Sequence, residues 1–172
     1  MTRSGGFSTI DLGNLRESSL LVTDMLMFIG GGSASTAGGI KVTTLAVLFL
    51  AAFAEARGNP SMNVFERKVP GDVLRLAVSV VLWGATTVAL STIVLLQMTE
   101  GGLDHVLFDV ISAFGTSGLS SGFTATLDDP GKYVMSATMF MGRIGTVTLA
   151  AALASSQRRQ LFTRAEERPI VG

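Results

Sequence analysis

The stretch Asp109–Gly122, "DVISAFGTSGLSSG", decides the fold. An apolar, helix-like run breaks at Gly115 into small and hydroxyl residues, with Gly118 and Gly122 spaced among them. A single turn accounts for one glycine and leaves the others unexplained. The run ahead of the break, Leu103 to Phe114, is 12 residues long. As a helix it measures about 18 Å, too short for a hydrocarbon core of about 30 Å. Such a helix can enter a membrane and turn back. It then leaves irregular backbone at membrane depth, which is tolerated only where protein buries it or it lines a water-filled cavity.

The composition agrees with a membrane setting. Of 172 residues, 48% are hydrophobic and 15% charged, against about a quarter charged in a soluble domain. The formal net charge is +0, so no nucleic-acid partner is expected. Cysteine is absent, which excludes disulfides, thiolate catalysis and Cys-based metal sites. A single histidine, His105, argues against a histidine metal cluster or a catalytic triad. No nucleophile–base pair stands out, and no enzyme is expected. The opening "MTRSGGFSTIDL" lacks a basic segment followed by an apolar one, so it does not read as a signal peptide.

Leu76–Met98 runs 23 residues without a charge, roughly 34 Å of helix and enough to span. Two interrupted apolar stretches flank it. Leu15–Phe53 is broken by "GGGSASTAGG", and Tyr133–Ser155 by "GRIG". The linker after the first carries Arg57, Arg67, Lys68 and Arg75, and the tail carries Arg158, Arg159, Arg164 and Arg168. The other side carries Glu100, Asp104, Asp128 and Asp129 against Lys132. The positive-inside rule puts linker and tail in the cytoplasm and the glycine-rich turn outside.

The chain also repeats itself. "SGGFS" (Ser4–Ser8) resembles "TSGLS" (Thr116–Ser120), with Gly6 and Gly118 offset by 112. "MFIG" (Met27–Gly30) resembles "MFMG" (Met139–Gly142) at the same offset. "GIKVTTL" (Gly39–Leu45) then pairs with "RIGTVTL" (Arg143–Leu149) at 104, so the first copy holds about eight extra residues within Gly30–Gly39. The expected unit is a spanning helix, a short re-entrant pore helix, a filter turn and a broken helix. Residues 1–53 read as the end of one repeat, 54–75 as a cytoplasmic linker, 76–155 as a complete repeat and 156–172 as a cytoplasmic tail.

A short helix leading into extended Thr-Ser-Gly-Leu has a chemical rationale. Successive carbonyls aimed one way can replace the water shell of a dehydrated monovalent cation. The helix C-terminus near Phe114 adds partial negative charge. Thr116, Ser117, Gly118 and Leu119 are the candidate ion-binding backbone, with Ser4, Gly5, Gly6 and Phe7 in the first copy. Asp109 either bonds amides of this segment or faces a wet crevice.

These residues resemble the Trk/Ktr/HKT superfamily of potassium transporters, in particular the TrkH/KtrB-like membrane subunits. "SAFGTSGLS" is similar to the filter of that family's fourth repeat, and "TRSGGFSTIDLGNL" to the third. "GGGSASTAGGIK" resembles its intramembrane loop, "GRIGTVTL" its last helix with a pore-facing arginine, and "EERPIVG" the Ktr-type C-terminus. Ser4 and Gly5 stand where the family often has Thr-Ala, and Thr146 replaces a frequent proline. The resemblance implies an all-α membrane protein of four pore-loop repeats, of which this chain holds about one and a half. It further implies transported K+ with no bound cofactor, a homodimer in the plasma membrane, and an RCK-type nucleotide-binding regulatory subunit of the TrkA/KtrA kind. A C-terminal fragment or a misplaced start is the expected origin of the short chain.

By the same resemblance, Gly30, Gly31, Gly32, Ser33, Ser35, Thr36, Gly38 and Gly39 form a loop across the pore that moves to open it. Arg143 is read as a fixed positive charge facing the pore, with Asp24 a possible partner; Lys41 either gates or reaches the cytoplasmic face. Ile40 between Gly39 and Lys41 spoils a phosphate-binding loop. The alternatives are a non-conducting fragment and a broken-helix carrier for another cation.

Overall fold

The computed structural model describes residues 5–9, 12–32, 38–57, 63–64, 67–68 and 71–145. Ser4, Ser33, Ser35, Thr36 and the tail 156–172 lie outside the described residues. Five α-helices follow one another: α1 (Glu17–Phe28), α2 (Val42–Ala56), α3 (Gly71–Met98), α4 (Leu103–Gly115) and α5 (Asp129–Phe140). Between α2 and α3, β1 (Asn63–Val64) and β2 (Arg67–Lys68) pair antiparallel, Asn63 opposite Lys68 and Val64 opposite Arg67. The all-α expectation therefore holds apart from this small linker hairpin. Phe65–Glu66 between its strands offers none of the Asn-Gly chemistry that announces a tight hairpin.

α3 is the longest of the described helices. Val73–Met98 is long and apolar enough to cross a membrane, and among the described residues it is the one helix that is. The helix starts at Gly71, ahead of the uncharged run that begins at Leu76, because backbone pairing continues through the charged turn containing Asp72 and Arg75. Ala77, Val80, Val88 and Leu95 are buried, while Val78, Leu82, Leu90 and Ile93 are exposed. An apolar outer face suits lipid and not water. Several hydroxyls on these helices are satisfied locally, while the buried Thr92 Oγ1 on α3 has no partner among the described residues. Ser79, Thr87, Thr99, Ser136 and Thr138 each donate to the carbonyl four residues back, which removes an unpaired donor from an apolar surrounding. The hydroxyls of Ser91 and Thr138, 2.7 Å apart, join α3 to α5, a polar contact of the kind that holds membrane helices together.

The core forms around the short α4. Val106 and residues 108–115 are buried, and α4 packs against α1, α3 and α5. Phe108, Phe114, Leu95, Met27 and Ile40 are among its fully enclosed side chains. Local sequence sets the ends of the surrounding helices. α1 stops at Phe28 ahead of Gly30–Gly32, and α5 starts after Asp128 with a proline in its first turn, where the missing N–H costs nothing. α5 runs into a π-helical turn, Met141–Gly145, at the "GRIG" read as a helix break. A wider turn of this kind marks an inserted residue.

Candidate functional site

α4 positions the site. The Thr116 N–H donates to Ala113 O at 3.1 Å, and the Ser117 N–H to Ser112 O at 2.9 Å. This pair closes a helix through a left-handed residue. Here that residue is Thr116, at φ 52 and ψ 36, where glycine is the usual choice. The chain then continues through Ser117, Gly118 and Leu119, with Gly118 at φ +80. Only glycine takes such dihedrals without strain.

The two repeated turns meet. The Cα of Gly6 lies 3.2 Å from where a Cβ on Gly118 would stand. A Cβ on Gly6 would lie 3.5 Å from Ser117 O and 3.7 Å from Gly118 O. Gly6 shares the left-handed backbone, at φ +63. Gly5, Gly6 and Phe7 are exposed and Thr116 is half-buried, whereas Ser117 and Leu119 are buried.

Asp109 holds the segment beyond the second turn. Its carboxylate is buried and accepts hydrogen bonds from the Ser120 hydroxyl (2.8 Å), the Ser121 amide (2.7 Å) and hydroxyl (3.1 Å), and the Thr124 amide (2.9 Å) and hydroxyl. Asp109 thus bonds amides, of Ser121 and Thr124 past Leu119 rather than of 116–119, and it also borders an open cavity. The sequence carried a signal for this in the hydroxyls of "SSGFT", one helix-and-turn downstream of Asp109.

The glycine-rich loop is closed at its base. The Gly30 amide donates to Ile40 O at 2.8 Å and the Val42 amide to Gly31 O at 3.3 Å, beside a parallel bridge between Ile29 and Ile40. Gly30, Gly31, Gly38 and Gly39 are buried, Gly32 is exposed, and Lys41 is half-buried. The loop's return end touches α4 and the π-helical turn. The Gly38 amide donates to the Thr116 hydroxyl oxygen at 2.9 Å, and the Gly39 amide to Gly142 O at 3.4 Å. A Cβ on Gly142 would lie 2.0 Å from Phe114 O, so glycine alone lets the π-helical turn approach the end of α4 this closely. Neither the left-handed threonine nor its bond to Gly38 was legible in the sequence, since Gly38 and Thr116 are 78 positions apart.

Arg143 lies in the π-helical turn, exposed. With Asp109, Thr116, Gly118, Phe140 and Ile144 it lines an open cavity of about 530 Å³. Asp24, considered as its partner, is buried in α1, and its Oδ1 accepts no hydrogen bond among the described residues. Among those residues no group of three or more His, Cys, Asp or Glu side chains is placed to hold a metal ion.

A family described as TrkH, cation transport protein, matches residues 1–160. The chain belongs to the TrkH family. This TrkH-family chain is 41% identical over 172 residues to the Ktr system potassium uptake protein D of Bacillus subtilis (strain 168), covering 99% of the chain and 38% of that protein. It is 39% identical over 152 residues to the Ktr system potassium uptake protein B of Vibrio alginolyticus, covering 88% and 33%. A potassium/sodium uptake protein of Enterococcus hirae, NtpJ, is 34% identical over 156 residues, covering 88% and 34%. The TrkH-family chain thus spans between a third and two fifths of the length of these relatives.

Proposed function

We propose that the chain supplies one and a half pore-loop repeats of a plasma-membrane potassium-uptake pore, with residues 1–53 ending one repeat and 76–155 forming the next. Ser4–Phe7 and Thr116–Leu119 are two strands of its filter. The observation that carries this is the meeting of two left-handed glycine turns, Gly6 and Gly118, from sequence segments offset by 112. Two such turns at one axis can present carbonyl oxygens from both sides to a dehydrated cation. The relatives' potassium uptake and the C-terminus of α4 aimed into the second turn support the same reading.

Further repeats complete the ring in the whole protein, as the relatives' greater length and the exposed apolar face of Met139, Phe140 and Ile144 suggest. The loop from Gly30 to Gly39 with Lys41 is the gate, and Arg143 a positive charge that raises the barrier to cations. Linker 54–75 and tail 156–172 face the cytoplasm, where an RCK-type nucleotide-binding subunit regulates a homodimer in the lipid bilayer.

Gly118→Ser in the complete transporter tests the filter. A side chain at this left-handed position meets the Cα of Gly6 and shifts the carbonyls. Potassium preference over sodium, measured by competitive uptake, is expected to fall at least about tenfold, the equivalent of roughly 1.4 kcal/mol of discrimination. Unchanged preference in well-assembled protein would overturn the filter assignment.

A further inference from the structure

Thr116 occupies the one position at the end of α4 where the closing turn calls for glycine. A β-branched residue with positive φ is strained, and among the described residues Thr116 is the one non-glycine residue with positive φ. Gly115 and Gly118 stand on either side, so the segment uses glycine freely. Strain retained at such a place points to a use for the side chain. Among the described residues the Thr116 side chain makes one long-range bond, with its hydroxyl accepting from the buried Gly38 amide at 2.9 Å. Its methyl abuts the same residue, 2.8 Å from where a Cβ on Gly38 would stand. One residue of the turn that leads into Gly118 is thereby tied to the return end of the glycine loop. A buried amide that loses its acceptor is costly, so the bond resists withdrawal of the loop.

We propose that the Thr116 hydroxyl is a latch between the return end of the loop and the filter, holding Gly38 against the end of α4 until the Thr116–Gly38 bond breaks. Thr116 is a positioning residue in this role, acting through Gly38. The inference rests on reading Thr116–Leu119 as filter and Gly30–Gly39 as gate. It adds the element by which movement of the loop is felt at the filter entrance, and it explains why threonine replaces glycine at a strained position.

The test uses the complete transporter in lipid vesicles, with rubidium flux measured in the absence of its regulatory subunit. Thr116→Val keeps the branched shape and removes the acceptor. Resting flux is expected to rise about fivefold, as the loss of one neutral hydrogen bond dictates. Thr116→Ser keeps the acceptor and is expected to bring the flux back toward the parent value. Three results would overturn the latch. One is resting flux equal to the parent in Thr116→Val protein that elutes as the native assembly. Another is Thr116→Ser as leaky as Thr116→Val, which would assign the effect to the methyl. The third is loss of potassium preference with no rise in resting flux, which would confine Thr116 to the filter. Should the valine variant fail to assemble, Thr116→Ala against Thr116→Ser makes the same comparison, differing by the hydroxyl alone. Gly118→Ser measured alongside separates the two levels. Unchanged selectivity there sinks the filter reading itself, whereas altered selectivity there with no leak from Thr116→Val sinks only the latch.

Discussion

Phe28 and Phe140 sit at matching positions of the two repeats, 112 residues apart, and their surroundings differ. The Phe28 ring stacks on Phe114 with centroids 6.2 Å apart, whereas Phe140 is 64% exposed. Met27 and Met139, one residue earlier, are 1% and 45% exposed. α1, which carries the first copy of the pattern, packs its inner face on α4. α5 presents the equivalent face with no following pore helix among the described residues. The same sequence pattern is therefore core in one copy and surface in the other. Among the described residues only the first copy of the pattern is covered by a neighbouring helix.

Glycines at matching positions test this comparison hardest. A Cβ on Gly142 would lie 2.0 Å from Phe114 O, and one on its repeat mate Gly30 would lie 2.3 Å from Gly38 O. Both alanine substitutions are expected to lose about 3 kcal/mol or more, since backbone cannot yield as a side-chain tip can. Gly32→Ala, with nothing among the described residues within 4 Å of the added carbon, serves as the control. Thermal unfolding in detergent reads all three. If Gly30→Ala behaves like Gly32→Ala while Gly142→Ala fails, the two breaks are not structural equivalents.

The aromatic pair sharpens the comparison next. Phe28→Ala is expected to cost about 3 kcal/mol through the cavity it leaves. Phe140→Ala in this chain alone is expected to cost under about 0.5 kcal/mol, as at other exposed positions. In the complete transporter its cost should rise toward that of Phe28→Ala, because another pore helix then covers it. An equally small effect in both settings would remove the packing argument for further repeats.

Asp109→Asn comes third. The amide nitrogen replaces one of the two carboxylate oxygens, so it sets a donor against either the Ser121 amide on Oδ1 or the Thr124 amide on Oδ2, and a loss of about 2 kcal/mol is expected. Potassium preference should fall with it if the outer segment steadies the filter. Lys132→Ala is the smallest. Its 3.2 Å contact with Asp129 is an exposed pair on the first turns of α5, worth less than about 0.5 kcal/mol. A larger loss of melting stability there would mean that this end of α5 is buried in the assembly.

Much of this architecture was legible because membrane physics is read from local runs. The uncharged stretch from Leu76 to Met98 marks a span, and the 12 residues from Leu103 to Phe114 cannot be one. The 112-residue offset exposes the repeat, and the glycine breaks at Gly30–Gly39 and "GRIG" mark helix ends. The linker hairpin escaped because its connection lacks turn residues. The positions of Asp24 and Arg143 escaped because burial depends on which neighbour a helix face meets, and no spacing within one helix records that.

The amino-acid sequence by itself determined the class of molecule, the short helix ahead of Thr116, the two glycine turns and the family, since each depends on residue type and spacing along the chain. Tertiary structure alone decided that Gly6 meets Gly118 and that Thr116 takes a glycine's backbone to reach Gly38. Those contacts join segments up to more than a hundred residues apart. They exist only because α4 is enclosed by three helices at once, and which groups that enclosure brings together is a property of the packed chain and not of any local stretch.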